Sequence, residues 1–149
     1  MEQKMTVRQS KEEIILAALS ASQNAVFQPV QIQKFFFLID QKVSHRLGGK
    51  LFNFEPYHYG PFDKAVYTEL DKLAARGLVE ISSQGLGRKS FQVTYEGRKF
   101  GEAALLQLGD LAKYLSELSN FVRSMSFDQL VRTIYSAYPD MKKNSVFNE

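Results

Sequence analysis

The chain has 149 residues, 44% of them hydrophobic and 23% charged, proportions of an ordinary globular domain that exclude disordered, collagen-like and purely coiled-coil chains. It has no cysteine, which excludes a disulfide scaffold, a thiolate metal site and a cysteine nucleophile. Nineteen basic against sixteen acidic side chains leave a net charge of +3, which admits a polyanionic partner without requiring one. Residues 1–13 contain no apolar stretch of the signal type. No apolar run, Phe35–Ile39 included, is nearly long enough to span a membrane, so a soluble cytoplasmic protein of one domain is expected.

In chain order, Ser10-Lys11-Glu12-Glu13 spells a capping box ahead of Ile14, Ile15, Ala18 and Leu19, predicting a first helix to about Ala21. Pro29 sits where a first-turn proline is tolerated, and a second helix follows with Ile32, Phe35, Phe36, Ile39, Val43 and Leu47 at helical spacing. Phe35, Phe36 and Phe37 together cover nearly half its circumference, which predicts burial on more than one side. Gly48-Gly49 ends it. Leu51–Phe54 alternates and reads as a short edge strand. Residues 55–62 carry Pro56, Gly60 and Pro61 and read as irregular. A third helix is predicted from Pro61 or Phe62, with Phe62, Val66, Leu70 and Leu73 on one stripe and Arg76-Gly77 at its end.

Leu78–Ser82 and Phe91–Tyr95 alternate as two strands around a glycine-bearing basic loop. Thr94 is an N-cap, and from Ala104 the apolar residues Leu108, Leu111, Leu115, Leu118 and Val122 recur at alternating spacings of four and three, predicting one long helix with a coiled-coil-like seam. The seam suits either packing on the first two helices or a homodimer contact. Ser126-Phe127-Asp128-Gln129 is a second capping box, and a last helix carries Leu130, Val131, Ile134 and Tyr135. Residues 140–149 have no period and read as a tail.

Helix, helix, helix, hairpin, long helix is the order of a winged helix. The expected fold class is therefore α+β, mostly α, with a winged helix-turn-helix core at about residues 10–100, a β-hairpin wing, C-terminal helices at about 96–138 and the tail. The connection between the second and third helices departs from that pattern. It runs thirteen residues, Gly48 to Gly60, where a helix-turn-helix uses about 3–4. The runs Gln33-Lys34-Phe35-Phe36-Phe37-Leu38, Tyr57-His58-Tyr59-Gly60-Pro61-Phe62, Leu70 to Val79 and Ile134-Tyr135-Ser136-Ala137-Tyr138-Pro139 resemble the phage-associated SocA-type antitoxin family, also called Panacea, and its YwgA-like relatives. The resemblance spans about residues 30–147. It implies a winged-helix core used in toxin–antitoxin, prophage or defence loci, and it carries no catalytic residue.

The residues do not favour an enzyme. His45 and His58 are the only histidines, too few for a metal centre, and no Gly-x-Ser-x-Gly elbow or carboxylate pair stands out. Gly85–Ser90 superficially suggests a phosphate loop, but arginine precedes the lysine and the loop joins two strands. No cofactor is expected. Between Gly85 and Lys99, the cations Arg88, Lys89, Arg98 and Lys99 outweigh Glu96, concentrating +3 in fifteen residues. A wing and the helix start after it can face one phosphate backbone, so DNA is one expected partner, with Lys64, Tyr67 and Thr68 as groove-facing candidates on the third helix. That helix is weak for the purpose, because its outward residues, Asp63 and Asp71 among them, sum to zero charge. A protein partner such as a toxin is the alternative, with Tyr57, His58 and Tyr59 at an aromatic turn and Leu108, Leu111 and Leu115 on the seam as interface candidates.

Overall fold

The Ser10 hydroxyl accepts a hydrogen bond from the Glu13 amide while the Glu13 carboxylate takes the Ser10 amide, so the expected capping box opens α1 (Lys11–Ser20). The computed structural model describes residues 9–83, 85 and 88–148. Every residue of α1 from Ile14 to Ser20 is buried, which makes this helix the axis of the core. α2 (Pro29–Val43) has proline in its first turn, as the sequence indicates, and a 3-10 turn (Ser44–Arg46) continues it. All three consecutive phenylalanines of α2 are buried, each against a different aromatic neighbour. Phe35 stacks on Phe27 at 5.0 Å, Phe36 meets Phe52 at 5.7 Å and Phe37 meets Tyr138 at 4.9 Å.

Three expectations fail between α2 and the next helix. Residues 51–54 form no strand. Their backbone is held by the buried Asp40 carboxylate, which accepts from the Leu51 and Phe52 amides at 2.7 and 2.9 Å. The proline-rich stretch is instead regular: β1 (Glu55–Tyr57) and β2 (Gly60–Phe62) form an antiparallel hairpin. Its register explains how it tolerates two prolines. Tyr57 pairs with Gly60 across a two-residue turn, so Pro56 faces Pro61 at the next, non-hydrogen-bonded position, where neither needs an amide hydrogen. Consequently Pro61 and Phe62 are strand residues, and α3 (Lys64–Ala75) starts later. Asp63 is its N-cap, accepting from Ala65 on one oxygen and from Asn53 on the other.

β3 (Val79–Ser83) and β4 (Lys89–Val93) form the expected second hairpin, displaced so that β4 ends at Val93, Thr94 caps the next helix and Tyr95 begins it. Gln84, Leu86 and Gly87 of the connecting loop lie outside the described residues. β4 has a further neighbour that the sequence pattern misses. Phe27 exchanges two backbone hydrogen bonds of 2.9 Å with Phe91, giving the lateral order Phe27, β4, β3.

The long helix expected from Thr94 onward is two helices, α4 (Tyr95–Leu108) and α5 (Leu111–Arg123). Gly109 adopts φ +63°, a left-handed conformation that ends α4. The seam therefore does not run as one stripe, and its α5 residues Leu111, Leu115, Leu118 and Val122 are buried in the chain's own core. α6 (Phe127–Ala137) starts at the expected Ser126 capping box. The residues read as a tail are docked. After a 3-10 turn (Pro139–Lys142), the Val146 amide donates to the His58 carbonyl at 2.9 Å, Asn144 donates to the Pro56 carbonyl at 3.2 Å, and Tyr135 donates to the Ser145 hydroxyl at 2.7 Å. The fold is α+β and mostly helical, with two small antiparallel hairpins. Among the described residues, no helix is long and apolar enough to cross a membrane.

Candidate functional site

The first turns of α2, the β1–β2 hairpin, Tyr67 of α3 and Phe127 of α6 enclose a cavity of about 420 Å3. Its walls are aromatic because the hairpin brings its rings together. Tyr57 stacks on His58 at 4.2 Å and on Phe62 at 5.1 Å, Phe62 meets Tyr67 at 5.9 Å, and Tyr59 meets Phe127 at 5.2 Å edge-on. Lys34 also lines it and is only 3% exposed. The recorded hydrogen bond of its ammonium is one long donation, 3.4 Å to the Pro61 carbonyl, and no carboxylate among the described residues pairs with it. Burial without a counter-charge lowers its pKa from the ordinary lysine range to about 7. Gly60 makes room for this side chain: a Cβ there would stand 3.4 Å from Lys34 Cε and 3.5 Å from its Nζ. Beside it, Gln33 accepts from the Asp63 amide and donates to the Asp63 carbonyl, which fixes the α2–α3 junction.

A second cavity of about 700 Å3 adjoins the first and shares Gln28 and Pro29 with it. Val26, Arg88, Lys89 and Arg123 also line it. Arg123 is positioned by Ser119 at 3.2 Å and Asn120 at 2.8 Å, with its guanidinium 5.6 Å from the centre of the Phe27 ring. Among the described residues no carboxylate pairs with Arg88, Lys89 or Arg123. The positive end of α2 therefore meets three uncompensated cations, a setting that favours a bound anion.

Only part of the residue set read from the sequence converges here. Arg88 and Lys89 are exposed at the cleft. Arg98 instead bonds Asn24 at 3.2 Å, and Lys99 forms an ion pair with Glu96 at 3.3 Å within the first turns of α4. Lys64 and Thr68 are exposed on α3, with the Thr68 hydroxyl 3.5 Å from its own helix carbonyl at Lys64. Tyr67 is not a groove-facing residue. It is half-buried against Phe62 and Phe91, and burial raises its pKa while a hydrogen bond to Gln33 opposes the rise. Tyr57 and Tyr59 are 48% and 44% exposed at the hairpin tip, with His58 between them. Leu108 is half-buried, and Leu111 and Leu115 are 2% and 0% exposed, so these two seam positions offer no surface to a second molecule. No cluster of three or more metal-binding side chains occurs among the described residues.

The sequence reading missed Lys34 and Arg123. Lys34 had a signal: it shares a helical arc with Val30, Phe37 and Leu38, an apolar face where a solvated lysine has no place. Arg123 had none, since only the packing of α5 beside Phe27 carries it to the cleft. No protein-family model, curated protein or solved structure matches the chain.

Proposed function

We propose that the chain is a non-enzymatic winged-helix regulatory protein that binds nucleic acid through phosphates held in the cleft of Arg88, Lys89 and Arg123. The convergence of these three cations, unpaired among the described residues, on the N-terminus of α2 carries the reading. The lateral order Phe27, β4, β3, with Phe27 between α1 and α2 and the hairpin after α3, supports a winged helix with β3–β4 as its wing. With Tyr67 withdrawn into the pocket wall and Asp71 on the outward face, α3 supports phosphate-dominated binding with little base readout. Replacing Arg88, Lys89 and Arg123 by alanine weakens binding to a labelled duplex irrespective of sequence and flattens the log–log salt dependence by about two to three units. Unchanged affinity in that variant would remove the reading.

A protein-binding role, as an antitoxin or adaptor that neutralises or delivers a partner protein, rests on a different observation, the exposed Tyr57 and Tyr59 at the hairpin tip. Under that reading, Tyr57→Ala with Tyr59→Ala abolishes co-purification with the product of an adjacent gene while duplex binding persists.

A further inference from the structure

We propose that the aromatic cavity above Lys34 is a binding site for a small apolar carboxylic acid, its carboxylate on Lys34 Nζ and its hydrocarbon body among Tyr57, Phe62, Tyr67 and Phe127. An ammonium has three donors, and the one recorded hydrogen bond of Lys34 is 3.4 Å long. A buried charge held this loosely is costly unless something pairs with it. The free chain answers by letting the amine approach neutrality at physiological pH; an arriving carboxylate would restore the charge and supply the missing acceptor.

The rest of the cavity selects the ligand's body. The five rings of Tyr57, Tyr59, Phe62, Tyr67 and Phe127, with Pro29 and Val30, form apolar walls, which suit an aromatic or branched hydrocarbon and exclude a fully hydrated anion such as phosphate. The volume, about 420 Å3, falls within the range of small-molecule sites, about 300–1,000 Å3. Pro29 and Val30 of the first turn of α2 belong to the same wall, so the positive end of that helix borders the cavity. The proposal does not depend on nucleic-acid binding, since it uses none of Arg88, Lys89 and Arg123.

Hydrocinnamate, a phenyl ring joined to a carboxylate by two methylenes, and its neutral amide, hydrocinnamide, form a matched pair of probes. In a chemical-shift titration of the full chain, hydrocinnamate saturates with shifts centred on residues 28–34 and 57–62, and the amide binds at least about tenfold more weakly. In Lys34→Met the two bind equally weakly. The acid–amide comparison on the parent chain decides the matter even if that variant does not fold. Equal affinity of acid and amide for the parent, shifts centred on Arg88, Lys89 and Arg123, or no saturation by about 10 mM would each overturn the proposal. Saturation by a phenylalanine-terminated tripeptide but not by hydrocinnamate would overturn it too, assigning the cavity to the end of a partner chain.

Discussion

Lys34 and Asp40 lie on the same helix, are both buried and differ in how far that burial is offset. Burial raises the Asp40 pKa, but two backbone amides, which it holds in place of a strand ladder, and the charges of Lys50 and Lys11 oppose the rise. Lys34 has one long hydrogen bond and, among the described residues, no counter-ion, so nothing offsets the burial of its charged form. The consequence for stability has a definite sign. The unfolded chain keeps a lysine of ordinary pKa, 10.5, while the folded chain's lies at about 7. Between those values the unfolded chain binds more protons, so the Lys34 contribution makes stability rise with pH across that window. Below pH 7 both states are protonated and the whole penalty stands, on the order of 5 kcal/mol. Lys34→Met, which keeps the length and removes the charge, therefore raises the melting temperature at about pH 6 and loses most of that advantage by about pH 10. Melting curves of the two proteins at both pH values check it. A parent chain more stable than Lys34→Met at the lower pH would mean that the ammonium already has a strong partner.

At the scale of elements, the local signals that succeeded are those closed within a few residues. The capping boxes at Ser10 and Ser126, the Thr94 cap and the first-turn Pro29 all stand where the sequence puts them, because the caps satisfy amides within their own helix turn and the proline brings no amide hydrogen that needs a partner. The signals that failed required knowledge of a partner. Two prolines in six residues look irregular until register sets them opposite each other, and the heptad-like spacing from Ala104 to Val122 says nothing about the Gly109 break. Glycine inside α4 shows the same conflict between local and tertiary terms. By helix propensity, Gly101→Ala should gain about 1 kcal/mol. In the fold a Cβ at Gly101 collides with the Ser20 hydroxyl and the Leu16 carbonyl of α1, so α1 and α4 would have to separate. The net effect is a loss of about 1–3 kcal/mol, read as a lower urea midpoint with an unchanged slope. A stabilised Gly101→Ala would show that the two helices have slack that their close approach denies.

Across the whole molecule, the two cavities are coupled to the fold in different ways. A run of ring contacts from His58 through Tyr57, Phe62 and Tyr67 to Phe91 links the hairpin tip to the centre of β4, two residues from Lys89. The order of three helices, a hairpin and further helices was legible in the sequence because helices, hairpin and caps are written locally. The α2–hairpin–α6 cavity was not, because it joins segments about a hundred residues apart, and the hairpin at its centre is a stretch that lacks any period. Residues 144–147 hold the hairpin from outside through the Val146 amide on His58 and the Asn144 side chain on Pro56, while the Phe147 ring packs on α6, meeting Phe127 at 6.1 Å and Tyr135 at 6.5 Å. Bonds that end on backbone carbonyls leave no side-chain pattern to read. Truncation after Lys143 should therefore cost about 2–4 kcal/mol from the lost bonds and ring burial. The loss should be local in character: amide hydrogen exchange speeds up at residues 57–62 while the α1–α4 pair keeps its protection. Uniformly faster exchange would make the C-terminal segment part of the global core, and unchanged exchange at 57–62 would mean that the hairpin stands without it.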